Sequence, residues 1–309
     1  MTIGLSHSPL IGLNDPDESV LAEVDAAVAK ARELATAFDP DLVVLFAPDH
    51  YNGFFYKNMP PFCLAREAHS VGDFGSTAGP LKVDAELADV VAQRVLDADI
   101  DLAVSARMTV DHGAAQPLEV LFGGLDAVTT LPLFINSVAT PLGPMRRVRL
   151  LGEAVGRALA DSDKRVLFIA SGGLSHDPPV PVLAGAPPKV ADALIEGIAP
   201  TPEQRKRGED RVVQSGREYA DGTSPRLPLN ADWDNRVIDV CASGDLTGFD
   251  TWTVADIGAQ GGGSGHEIRA WVAAFAAQAT QGAYTVEHRF YRAIPEWVAG
   301  FGVAVATPN

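Results

Sequence analysis

The chain is short of cysteine, of basic residues and of long apolar runs, and each shortage removes a class of function. Only Cys63 and Cys241 occur in 309 residues. They lie far apart and form no CxxC pair, so neither a disulfide framework nor a thiolate metal cluster is expected. Lys and Arg number 24 against 40 Asp and Glu, a formal charge of -16. Nucleic acid is a poor partner for such a chain, because phosphate binding needs a basic face. An anionic small molecule still fits, since one or two arginines are enough to bind a carboxylate. The longest apolar stretches, 42–48 and 271–277, are too short to span a bilayer. The opening MTIGLSHSPLIGL has neither the basic start nor the small-residue cleavage site of a secretory signal. The expectation is a cytoplasmic protein without a membrane partner.

Several motifs are missing too. There is no HExxH, which disfavours a zincin. The Gly-rich run 258–265 has no following Lys-Ser/Thr pair, so it is no phosphate loop. GGLSH is not GxSxG, which leaves a serine nucleophile elbow unsupported.

What is present is an alternation of two periods. Strand-length apolar runs occupy 42–47, 102–105, 131–138 and 166–170, each bounded by Pro, Gly or Asp. Between them, Val20, Leu21, Val24, Val28, Ala31 and Leu34 recur at helical spacing, as do Leu87, Val90, Val91 and Val95, and later Ile268, Trp271, Val272 and Phe275. Strands apolar on both faces, alternating with helices, predict one α/β domain over 1–309. Its central mixed or parallel sheet would carry helices on both faces. The Pro-rich, charged stretch of about 178–228 reads as a mostly helical insertion, with 203–217 a solvated helix.

Ligands of open α/β sheets bind beyond the carboxyl ends of the strands, and there the seven histidines become informative. His50 ends LVVLFAPDHY, His112 follows LAVSARMTVDHG, His176 follows RVLFIASGGLSH, and His7 follows the short apolar segment 2–5. A lone loop histidine is ordinarily a hydrogen-bonded surface group, and His69 and His288 are read that way. Four at equivalent strand ends point instead to a shared site. Two imidazoles with one carboxylate suit non-haem Fe(II), leaving positions for substrate and oxygen, although Mn(II) is bound by a similar set. Among 40 acidic residues, position singles out Glu267, at a helix start after GAQGGGSGH, where the helix dipole favours a carboxylate.

The segments LSHSPLIG, VVLFAPDHYNGFFY, MPPFC, GDFGS, VDHGAAQPLE, FINSVATP, SGGLSHDPPVP, HEIRAWVAAFAA and YRAIPEWVAGFG occur in this order. The chain resembles the class III extradiol ring-cleavage dioxygenases, the superfamily of the catalytic subunit of protocatechuate 4,5-dioxygenase. The likeness is end to end and thinnest over 183–259. It implies that His7, His50 and Glu267 hold Fe(II). It also implies that His176 is the proton acceptor, His112 the proton donor, and that Asp111 and Pro178 support this pair. The substrates implied are O2 and a catechol with a carboxylate side chain, of the dihydroxyphenylpropionate or dihydroxycinnamate type, and a homo-oligomer is implied as well. A zinc hydrolase or a non-catalytic binding protein on the same fold are the alternatives, but a binding module has no need of the His112/His176 pair. For the side-chain carboxylate the candidates are Arg289, Arg292, Arg107 and Arg66. Tyr51, Phe54, Phe55 and Trp297 are candidates for an aromatic pocket wall.

Overall fold

Alternate residues of the central strand pack into opposite cores, and this explains why its sequence is apolar throughout. A computed structural model describes all 309 residues. The strands are β1 (Thr2–Leu5), β2 (Leu42–Ala47), β3 (Phe62–Ala65), β4 (Ala68–Val71), β5 (Ala78–Pro80), β6 (Ala103–Ser105), β7 (Met108–Val110), β8 (Thr130–Ile135), β9 (Val166–Ser171), β10 (Tyr284–Ile294) and β11 (Ala299–Pro308). Leu42, Val44 and Phe46 face one core, and Val43, Leu45 and Ala47 the other. That is the period-2 geometry of a sheet covered on both sides.

The main sheet has the order β10-β11-β1-β9-β2-β8-β3-β6. Its centre, β1, β9, β2 and β8, is parallel. β11 joins β1 antiparallel, and β3 joins β8 antiparallel, so the sheet is mixed as expected. A second, three-stranded sheet has the order β5-β4-β7.

The helices are α1 (Glu18–Phe38), α2 (Ala85–Asp97), α3 (His112–Phe122), α4 (Met145–Ala158), α5 (Pro188–Glu196), α6 (Pro202–Ala220), α7 (Ala231–Ser243), α8 (Val254–Gly261) and α9 (Ile268–Ala279). One face of the sheet takes α2, α4, α7 and α9; the other takes α1 and α3. α9 is buried around its whole circumference. It lies close against α4 because α4 offers glycines there: a Cβ on Gly152 would sit 2.1 Å from the Ala273 carbonyl oxygen, and one on Gly156 2.4 Å from that of Ala277. Each large apolar side chain buried in such a seam contributes roughly 1.5–3 kcal/mol.

Three features depart from the sequence reading. The hairpin β10–β11, whose second strand covers β1, is the longest in the protein and stood unpredicted. The run at 131–138 stops being strand at Ile135. The stretch 178–228 is helical, with α5 and α6, but α6 is not solvated all round. Its Gly216 is so close to Leu10 and the Glu296 carbonyl oxygen that a Cβ would fall 2.7 and 2.8 Å from them. No helix is long and apolar enough to cross a membrane.

Candidate active site

The parallel strands β1, β2 and β9 deliver three histidines to one edge of the sheet. His7 lies just past β1, His50 just past β2, and His176 after the turn that ends β9. His112 arrives from elsewhere. The strand before it, β7, belongs to the small sheet, and His112 opens α3 with Asp111 as its N-cap. Together with Glu267, on the turn that leads into α9, these residues line a cavity of about 410 Å³, a size normal for a small-molecule site.

Glu267 is the hub. It is 1 % exposed. Its Oε1 lies 3.2 Å from His50 Nε2 and 3.0 Å from His176 Nε2. Its Oε2 accepts the Gly173 N–H at 3.0 Å and lies 3.4 Å from His7 Nε2. Burial alone would favour a neutral carboxyl, but His176 and His7 with these hydrogen bonds hold it well below the usual carboxylate range. The close approach requires glycine at the end of β9. A Cβ on Gly172 would meet Glu267 at 2.8 Å, and one on Gly173 would meet the His176 ring at 2.8 Å.

Each imidazole is held by its outer nitrogen, which fixes which nitrogen faces the centre. The Ser171 hydroxyl donates to the Gly113 carbonyl, so it accepts from His7 Nδ1–H at 2.9 Å. His7 Nε2 is thereby left as a lone pair facing Glu267. Burial, helped by His112 and His50, lowers the His7 pKa to about 3, which keeps the ring neutral, the form a metal ligand requires.

Asp111 Oδ2 accepts both the backbone N–H of His50, at 2.7 Å, and its Nδ1–H, at 3.1 Å. Burial would lower the His50 pKa, but Asp111 and Glu267 hold it well above the ordinary value. His176 donates Nδ1–H to the Leu174 carbonyl at 2.9 Å. Its pKa is raised because Glu267 and its hydrogen bonds outweigh burial. His112 has Nδ1 2.6 Å from Asp73 Oδ2, while its Nε2 is buried without a partner. Its ring stacks on His50 at 4.7 Å and meets Phe74 edge-on at 5.2 Å.

Asp111 therefore supports His50, whereas the expectation had placed it behind His112. The residue behind His112 is Asp73, which sequence reading missed. Its segment GDFGS was among those carrying the resemblance, yet nothing in its spacing marked a role. The structural sign is a strained turn, with Gly72 at φ 70° and Phe74 at φ 47°. That turn aims both Asp73 oxygens at His112, one at its backbone N–H at 2.8 Å.

The loop after β9 is held to α7 by a second buried network. Asp234 accepts the Ser175 N–H at 2.6 Å, the Ser175 hydroxyl at 2.7 Å and the Tyr291 hydroxyl at 2.7 Å. This clamps the residue preceding His176.

Other candidates fall outside the cavity. Arg289 pairs with Asp239 and Asn235 on the outer strand β10, and Arg292 pairs with Glu23 on α1. Arg66 is paired with Asp89, and Arg107 with Glu67, both on the surface. Phe54 stacks on Phe134 at 3.9 Å, and Tyr51 on Tyr56 at 6.0 Å; neither lines the cavity. Phe55 packs beside Gly197. Trp297 and Pro178 do line it. His288 Nε2–H donates to the Ala27 carbonyl at 2.9 Å, and His69 is exposed on β4, as read for both. The wall also includes residues no sequence signal marked: Gly208, Arg211 and Val212 of α6.

A family model described as the catalytic LigB subunit of aromatic ring-opening dioxygenase matches residues 1–302. A protein of Rhodococcus sp named 2,3-dihydroxyphenylpropionate/2,3-dihydroxicinnamic acid 1,2-dioxygenase is 56% identical over 98% of this chain and 96% of its own length. Proteins of the same name from Azotobacter vinelandii and Mycolicibacterium smegmatis are 51% and 50% identical. They cover 98% and 99% of this chain, and 97% of their own length in each case. Among solved structures, an uncharacterized Escherichia coli K12 protein aligns over 98% of both chains with a TM-score of 0.50 at 14% identity, a likeness of fold alone.

Proposed function

Because this chain belongs to the LigB family of catalytic subunits of aromatic ring-opening dioxygenases, a metal-dependent family, we propose that its substrate is 2,3-dihydroxyphenylpropionate and that its metal is Fe(II). The unsaturated 2,3-dihydroxycinnamate is a second substrate. O2 adds both its atoms as the ring opens beside the hydroxyl-bearing carbons, so that 2,3-dihydroxyphenylpropionate gives a 2-hydroxy-6-oxo-nonadienedioate.

The observation that carries this reading is the convergence of two imidazoles and one carboxylate in a buried pocket, with a further pair of histidines beside them. His7, His50 and Glu267 form the metal set. His7, His50 and His112 also present nitrogens within 4.8 Å of one another, so distance alone leaves Glu267 and His112 as rivals for third ligand. Charge favours Glu267. A buried divalent cation needs a compensating anion, and Glu267 already contacts both His7 and His50. The outer nitrogens of both imidazoles are tied to Ser171 and Asp111, as orienting partners of metal ligands usually are. Two imidazoles and a carboxylate on one face are the donor set of non-haem Fe(II). When bound, the metal supplies Lewis acidity toward the catechol oxygens and the one-electron chemistry that lets O2 attack a closed-shell ring.

The chain's own residues handle the protons. His176 gives its Nδ1–H to a backbone carbonyl, so its Nε2, which contacts Glu267 Oε1 at 3.0 Å, serves as the acceptor for a catechol hydroxyl proton when Glu267 holds the metal. His112 is oriented by the Asp73 carboxylate through its backbone N–H and Nδ1, and it donates from Nε2 when the ring bond breaks. Phe74, Trp297 and Pro178 line the cavity beside this pair.

The test is to load the purified protein with Fe(II) without air, add 2,3-dihydroxyphenylpropionate, admit O2, and follow oxygen uptake and the yellow ring-opened product. One O2 consumed per yellow product is expected. Metal-loaded protein that consumes no O2 with any catechol refutes the reading.

A further inference from the structure

We propose that Arg211 is the anchor for the substrate's side-chain carboxylate, and that α6 therefore determines which catechols the enzyme prefers. The inference rests on the substrate proposed above and deepens it.

The cavity wall is mostly unsuited to an anion. Asp73 and Glu267 are acidic, and the outer nitrogens of His7, His50 and His176 are engaged. Pro178, Pro179, Val180 and Pro181 form an apolar stretch that fits the two methylenes of a propionate but not its charge. Among the lining residues Arg211 is the only Lys or Arg. The other arginines considered for the role are paired with acids elsewhere on the molecule.

Arg211 itself takes part in no hydrogen bond or ion pair, whereas its helix neighbours do. Lys206 pairs with Asp210, and Arg205 reaches Asn52 Oδ1 at 3.5 Å. An unpaired guanidinium at the rim of a cavity, in a chain with 40 acidic residues, keeps its planar fork free for a carboxylate that enters with the ligand.

The helix that carries it is fixed rather than loose. Thr201 and Gln204 cap its start reciprocally. Glu209 Oε1 accepts the Phe74 N–H at 3.1 Å, which ties α6 to the very turn that holds Asp73 and His112. Gly216 locks the far end against Leu10 and Glu296. A charge presented from a rigid element imposes a position on the ligand. With the catechol oxygens held among the histidines and the carboxylate at Arg211, the ring is aligned for cleavage beside its substituent.

The experiment compares kcat/KM of the Fe(II)-loaded wild type, Arg211→Gln and Arg211→Lys on two substrates. One is 2,3-dihydroxyphenylpropionate, the other 3-propylcatechol, in which a methyl replaces the carboxylate. In Arg211→Gln the preference for the charged substrate falls at least about tenfold, the size of one charge-assisted contact, and the fall is in KM. Arg211→Lys lies between. Rising salt erodes the wild-type preference but not that of Arg211→Gln. Equal losses on both substrates, or an unchanged preference, overturn the proposal while leaving the dioxygenase reading intact. A wild type that consumes O2 with neither substrate overturns that reading and the anchor with it.

Discussion

Replacing Asp73 with Asn tests the proton-donor side of the site, because it changes charge while preserving size. Asp73 uses one oxygen for the backbone N–H of His112 and the other for Nδ1, at 2.6 Å, with both side chains 3% exposed. Asn retains one acceptor. If that oxygen keeps the backbone bond, an NH2 group faces Nδ1, forces the ring into its other tautomer and leaves a protonated ring without a counter-charge. A buried charge-assisted hydrogen bond is worth about 1.5–3 kcal/mol. Lost from the contacts that fix the His112 tautomer and aim Nε2 at the substrate, that is a fall of about 10- to 150-fold in kcat.

The assay is steady-state oxygen uptake by metal-loaded Asp73→Asn, with metal content and KM measured on the same samples. The expected pattern is a lowered kcat, a KM near that of the wild type and undiminished metal. Unchanged kcat would refute the positioning argument. Loss of metal would refute it differently, by moving Asp73 into the ligand set, which its proximity to Asp111 and His112 permits geometrically.

Asp111→Asn removes the carboxylate that orients His50, so metal affinity should fall about 10- to 100-fold, read from metal titrations of the stripped protein; unaltered affinity would separate Asp111 from the metal site. Gly4→Ala on β1 places a Cβ 2.4 Å from the fully buried Trp271 ring. Overpacking of this kind costs about 1–3 kcal/mol, and calorimetry should show a lower Tm. Activity should drop too, since Trp271 Nε1–H holds the Gly172 carbonyl at 2.9 Å. A Tm equal to that of the wild type would mean that the ring has room to move.

Much of this was readable from residue types because the centre of the sheet is built from local signals. β2 and β9 are short β-branched runs ended by turn residues, and a histidine past each is visible by eye. His50 and His176 stand out in that way, and His7 follows the short apolar segment that forms β1. Asp73 was not, because its partner is remote in sequence and its strained turn has no periodic signature. The reverse error occurred at Asp111. Adjacency to His112 suggested a partnership, but as N-cap it directs its other oxygen across to His50. Arg211 was hidden for another reason. A charge-rich helix reads as solvated whichever side faces a cavity, and only the place of Gly208 and Val212 in the cavity wall and the close packing of Gly216 reveal the inner side. β10 alternates between exposed and half-buried positions, a weak pattern for a strand that forms the edge of the sheet.

The seam between β1 and β11 has a further meaning. His7 is positioned by residues 2–5, which are held between 168–171 and 303–306, and Glu267 comes from a third distant segment. No two of the proposed ligands are neighbours in the chain, so the unfolded polypeptide offers no chelate, unlike a motif whose ligands share one helix. Cation binding is then coupled almost wholly to the native state and raises its stability with the logarithm of free metal. Loosening the seam would release the ion before the fold is lost, so metal retention becomes a more sensitive gauge of native order than any spectroscopic melt.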